Sequence, residues 1–138
     1  KYNFYVNKFV LDPRPETELI IEKVLNYFPD KNQKLKILDL CTGSGCIAIS
    51  LAKEYLNSKI TATDISSKAL KVAKINSQKI YCNNIKFIHC DLLDKISKYD
   101  IIVSNPPYLS KFDYDQKNVA TTILHLVLTN FSHLCMYY

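Results

Sequence analysis

Four short β-prone stretches recur along the chain: Leu35 to Leu40, Lys59 to Asp64, Ile85 to His89 and Asp100 to Val103. Helical patterns fill the first two gaps, Ile47 to Ala52 as a buried helix and Ser67 to Ile80 with Ala69, Leu70, Val72, Ala73 and Ile80 on one face. Strands that alternate with helices predict a parallel sheet wound by right-handed crossovers. Such a sheet takes its ligands at the carboxyl ends of its strands. Chemistry-bearing residues are therefore expected directly after each strand.

The remaining elements follow from local signals. Tyr2 to Val6 and Phe9 to Leu11 are β-prone pieces around Asn7-Lys8, which predicts a hairpin over residues 1–12. Asp12-Pro13-Arg14-Pro15 blocks a helix until Pro15, and Glu16, Thr17 and Glu18 suit a first helical turn. Leu19, Ile20, Val24, Leu25 and Phe28 recur at helical spacing, so a helix is expected from Pro15 to Tyr27, ending near Pro29.

Composition narrows the function classes. With 138 residues, 48% hydrophobic and 22% charged, one ordinary soluble domain is expected. The net charge of +5 comes from scattered lysines with a single Arg, Arg14. Bidentate base readout favours Arg, so a nucleic-acid partner is not suggested. Five Cys without a CxxC pair, and no signal peptide, give neither a disulfide framework nor a zinc site, and a reducing cytoplasm is the expected setting. No apolar run reaches the ~18 residues of a membrane-spanning helix. From Asn118 to Tyr138 no residue is charged.

The residues after the strands carry chemistry. Asp39-Leu40-Cys41-Thr42-Gly43-Ser44-Gly45 runs from a strand end into a helix start and contains the only two glycines of the chain. Glycine allows a tight turn and close approach of a ligand, and the helix start presents unpaired N–H groups. Asp64 closes the next strand 19 residues after Gly45, near the ~20-residue offset at which a carboxylate meets the ribose of a nucleotide cofactor. A helix cap is the alternative reading of Asp64. Asp91-Leu92 follows the third strand, where a carboxylate can take the exocyclic amine of adenine and Leu92 can cover a ring face. Asn105-Pro106-Pro107-Tyr108 follows the fourth strand. Its prolines fix the backbone, the Asn105 amide and the Pro106 carbonyl are two acceptors suited to a planar NH2 group, and Tyr108 can stack on that plane.

This order of motifs resembles the class I S-adenosylmethionine-dependent methyltransferases, whose fold is a doubly wound, Rossmann-like α/β sheet. Pro13-Arg14-Pro15-Glu16-Thr17-Glu18, the turn Asp39 to Ala48 and Val103 to Tyr108 are similar to the HemK/PrmC family of peptide-chain release factor glutamine N5-methyltransferases. DNA adenine methyltransferases share the last motif but generally lack the first. The resemblance implies that Cys41, Thr42, Gly43, Ser44 and Gly45 hold the methionine part of S-adenosyl-L-methionine. It gives Asp64 the ribose, and Asp91 with Leu92 the adenine. Asn105 would touch cofactor and substrate. Asn105, Pro106, Pro107 and Tyr108 would hold a glutamine amide of the release factor, with Asn105, Pro106 and Tyr108 catalytic. No metal is implied. An amino-methyltransferase acting on a nucleic-acid base, or an inactive remnant, are the alternatives.

Two departures from the family stand out. Cys41 occupies a position that is usually glycine. The family fold has three strands beyond the proline motif, whereas thirty residues follow Tyr108. A C-terminally incomplete sheet is therefore expected, with a methyltransferase core over 13–110 and a divergent apolar tail over 111–138. That tail, through Thr121 to Leu128, is expected to add one strand at the open edge of the fourth strand or one helix on a sheet face.

Overall fold

The computed structural model describes residues 2–90 and 99–105, and the main chain of 125–129 and 135–137. Three helices, α1 (Pro15–Tyr27), α2 (Cys46–Glu54) and α3 (Ser67–Lys79), accompany the strands β1 (Lys36–Leu40), β2 (Lys59–Asp64), β3 (Ile85–His89) and β4 (Ile101–Ser104). Two strands nearer the carboxyl end, β5 (His125–Thr129) and β6 (Cys135–Tyr137), complete the described elements. The sheet order is β3-β2-β1-β4-β5-β6. β1 to β4 run parallel.

Each element has a local cause. Pro15 opens α1 with its φ preset, and Glu16 and Glu18 lie in the first turn, where the helix dipole favours anions. Ser66 caps α3, its Oγ accepting from the Ala69 N–H at 3.2 Å. Ile37 to Leu40 and Ile101 to Ser104 are buried without alternation, as expected for strands covered on both faces. The main core joins Ile20 and Val24 of α1, Ile47, Ala48 and Leu51 of α2, and Ile37, Ile60, Ala62, Ile101 and Val103 of the sheet. Leu38, Leu40 and Ile102 form a second small cluster with Tyr99. Tyr55 ties α2 to α1, its hydroxyl donating to the Phe28 carbonyl at 2.7 Å.

Successive strands step outward from β1 to β3, and β4 then returns to the other side of β1. The order reverses between β1 and β4, and a crevice opens there beyond the carboxyl ends of the strands.

Two expectations need correction. The Asn7 turn forms, with the Val10 N–H donating to the Asn7 carbonyl at 3.1 Å, but residues 2–12 contain no strand. The main chain of Tyr5 bonds instead to the side chain of Asn76. The tail contributes two strands rather than one strand or one helix. β5 pairs antiparallel with β4, Val127 opposite Val103, and β6 pairs antiparallel with β5.

Candidate active site

The turn after β1 is held from below by Asp39, which is 1% exposed. Its Oδ2 accepts from the Thr42 hydroxyl at 2.6 Å and from the Ala48 N–H at 3.2 Å, so one carboxylate joins the turn to the first turn of α2. Burial pushes the Asp39 carboxyl up to about 7, opposed by these two bonds and reinforced by the charge of Asp64. Asp39 Oδ1 has no hydrogen-bond partner among the described residues.

Within the turn the backbone is left-handed at Cys41 (φ 57°), Gly43 (φ 54°) and Gly45 (φ 81°). Gly45 is the N-cap of α2. A Cβ there would come within 3.0 Å of the Ala73 Cβ and 3.1 Å of the Ile49 Cδ1, so glycine lets α2 approach α3. The Thr42 N–H donates to the Thr63 carbonyl at 2.9 Å, which fastens the turn to the end of β2.

Asp64 faces the same turn. Its Oδ2 accepts from the Gly43 N–H at 2.9 Å and its Oδ1 from the Ser66 N–H at 2.8 Å. Asp64 therefore organises two backbone turns, while the cap of α3 itself is Ser66. Asn105, at the end of β4, donates from Nδ2 to Thr17 Oγ1 of α1 at 3.0 Å. That bond uses one of the two Nδ2 donors and leaves the amide oxygen as its acceptor. Thr17 is 3% exposed.

These groups share one cleft of about 480 Å³, a size suited to a small ligand. Cys41, Thr42, Gly43, Ser44, Asp64 and Asn105 all line it. Gly45 is not on its wall and acts through packing. The other walls come from Lys8 to Arg14 and from Glu16 and Thr17 of α1. Glu16 Oε2 is buried and has no hydrogen-bond partner among the described residues. Cys46 also lines the cleft, and burial pushes its thiol up to about 11, so it stays protonated and is a poor nucleophile. Asp91, Leu92, Pro106, Pro107 and Tyr108 lie outside the described residues.

The sequence marks Thr17 only as a first-turn residue of α1 within the Pro-Arg-Pro-Glu-Thr-Glu segment and not as a partner of Asn105. Sequence reasoning also passed over Asn76, whose signal is a polar side chain on the apolar face of α3. Among the described residues no cluster of His, Cys, Asp and Glu could hold a metal, and no helix is long and apolar enough to cross a membrane. Cys41, Cys46, Cys82 and Cys90 form no disulfide.

Comparison with known proteins agrees with this geometry. The family model described as methyltransferase small domain matches residues 16–130. The release factor glutamine methyltransferase of Leptospira interrogans is 45% identical over 91% of this chain and 46% of its own length. The relative of the same name from Lactococcus lactis is 49% identical over 82% of this chain and 42% of its own. The chain thus spans about half the length of these curated relatives or slightly less. Among solved structures, a SAM-dependent methyltransferase from Agrobacterium tumefaciens superposes with a TM-score of 0.59 and 27% identity, covering 69% of this chain and 33% of that one. With a sheet whose first four strands run parallel, a glycine turn at its switch point and a matching family model over most of its length, the chain belongs to the methyltransferase small domain family.

Proposed function

We propose that residues 13–110 form an S-adenosylmethionine-binding core, in a protein that methylates the N5 nitrogen of a glutamine side chain in peptide-chain release factors. The observation that carries the reading is the placement of Asn105 in the cleft that also holds the Cys41–Ser44 turn and Asp64, its amide fixed by Thr17. The names of the curated relatives supply the substrate class.

The cleft fits this ligand on chemical grounds. Bound S-adenosylmethionine supplies an electrophilic methyl group on a sulfonium centre, and it carries an α-ammonium, a carboxylate and a ribose diol. Glu16 offers to a cation a buried carboxylate oxygen that has no hydrogen-bond partner among the described residues. Asp64, already ordered by Gly43 and Ser66, retains lone pairs for ribose hydroxyls. Asp91 with Leu92 would take the adenine, as the resemblance implies.

An amide nitrogen is a weak nucleophile because its lone pair is delocalised. The Asn105 amide oxygen accepts from the substrate NH2, which orients that nitrogen toward the methyl group and stabilises the positive charge it gains. Held by the Cys41–Ser44 turn and Asp64, S-adenosylmethionine would supply the methyl group, its C–S bond giving way to the new N–C bond, and the substrate nitrogen would release a proton to solvent. Pro106, Pro107 and Tyr108 would complete the amide site. Catalysis rests on positioning and electrostatics, with no covalent enzyme intermediate.

Labelled S-adenosylmethionine incubated with the chain and a bacterial release factor tests the reading. Label on a release-factor glutamine is expected, and Asn105→Ala should lower its rate by at least ~10²-fold, the scale of losing one preorganised polar contact. Label on DNA or RNA and none on the release factor would contradict it.

A further inference from the structure

One wall of the cleft, residues 8–12, belongs to no helix or strand, yet it must keep its place for the cleft to have a shape. Its anchorage converges on Asn76 of α3, which is 0% exposed. The Asn76 Oδ1 accepts from the Tyr5 N–H at 2.7 Å, and its Nδ2 donates to the Tyr5 carbonyl at 2.9 Å. The side-chain amide thus pairs with the main chain of Tyr5 as a neighbouring strand would. The same Nδ2 also donates to the Ser44 carbonyl at 2.8 Å, inside the turn on the opposite wall. Both donors and the acceptor of one buried amide are used, which offsets the cost of placing it in a core.

Secondary contacts follow the same line. Lys79 stands 5.1 Å from the ring centre of Tyr5, and Lys68 of α3 stands 4.7 Å from that of Phe9. These contacts are exposed and weak beside a fully satisfied buried amide. We infer that Asn76 is a positioning residue that clamps the N-terminal strap to the Ser44 turn and so sets the width of the ligand cleft. The inference rests on the cofactor reading given above for what the cleft binds. Asn76 is not among the residues that line the cleft. It acts through Tyr5 and Ser44.

Two variants separate the clamp from the core. Asn76→Asp keeps the acceptor for the Tyr5 N–H and loses both donors. Tyr5→Pro removes the Tyr5 N–H together with its ring and that ring's exposed contact with Lys79, and leaves the buried helix face intact. S-adenosylhomocysteine is titrated calorimetrically into the full chain and each variant, and tryptic cleavage after Lys8 is timed with and without it. In the parent, ligand should slow cleavage. Asn76→Asp should weaken binding about tenfold or more and speed cleavage of the ligand-free protein by a similar factor, the scale of unpaired buried groups. Tyr5→Pro should move both readouts in the same direction and by less, because the Ser44 bond survives. Parental affinity and parental cleavage in both variants would overturn the clamp. Faster cleavage at parental affinity would overturn its role in shaping the cleft. A parent that gives no binding heat would overturn the cofactor reading, and the ligand-free cleavage rates would still decide whether Asn76 holds the strap.

Discussion

Two residues of the glycine turn and its support, Cys41 and Asp39, bear on stability in different ways. Cys41 is held at φ 57°, where an L-residue with a Cβ is strained by roughly 1–2 kcal/mol. Glycine relieves that strain but costs roughly 0.5–1 kcal/mol through the freer unfolded chain. Cys41→Gly should therefore stabilise the fold by about 0.5–1 kcal/mol, read as a higher urea midpoint at unchanged m. A lower midpoint would show that what the Cys41 side chain contributes outweighs its backbone strain. Asp39 gives a pH signature. Its folded value of about 7 lies above the ordinary 3.8, so the native state holds a proton that the unfolded chain releases. The favourable contribution is complete below about pH 3.8 and is lost as pH rises toward about 7. Asp39→Asn keeps an acceptor for Thr42 and Ala48 and cannot ionise, so it should flatten the stability profile over that window. An unchanged slope in urea unfolding at several pH values would place the dependence on another group.

At the scale of elements, local signals were sufficient where structure is local. Pro15 and the acidic first turn mark the start of α1, and Asp64-Ile65-Ser66 marks the passage from β2 to α3. The glycine turn and the strand-end carboxylate were legible for the same reason, since turn chemistry is written in adjacent residues. Asn76 was not, because its partner Tyr5 lies 71 residues away and no short window contains both. The same distance explains the missing N-terminal hairpin. The β-prone residues are present, but Asn76 takes the main-chain bonds of Tyr5 that a second strand would have used. Thr121 to Leu128 was ambiguous because an uncharged, mostly apolar run suits a strand or a buried helix equally, and the pairing of His125–Thr129 with β4 decides it. Deleting residues 118–138 removes β5 and β6 and bares the main chain of Ile101 to Ser104. An uncovered edge of four buried residues recruits other chains. The shortened protein should self-associate by light scattering at concentrations where the 138-residue chain does so less. Equal dispersity would show that β5 is not needed to protect β4.

For the whole molecule, the topology and the chemistry meet at one place. The strand order reverses between β1 and β4, and the turn after β1, Asp64 at the end of β2 and Asn105 after β4 all reach the same cleft. Asp64 stands at its centre because it both braces the Gly43 backbone and is the carboxylate proposed to meet ribose. Calorimetric titration of S-adenosylhomocysteine into the chain, beside Asp64→Ala, tests that claim most directly. Saturable one-to-one binding by the parent is expected, weakened in Asp64→Ala by about 1.5–3 kcal/mol for the loss of a charged acceptor. Absence of binding by the parent, or equal affinity in the two proteins, would contradict it.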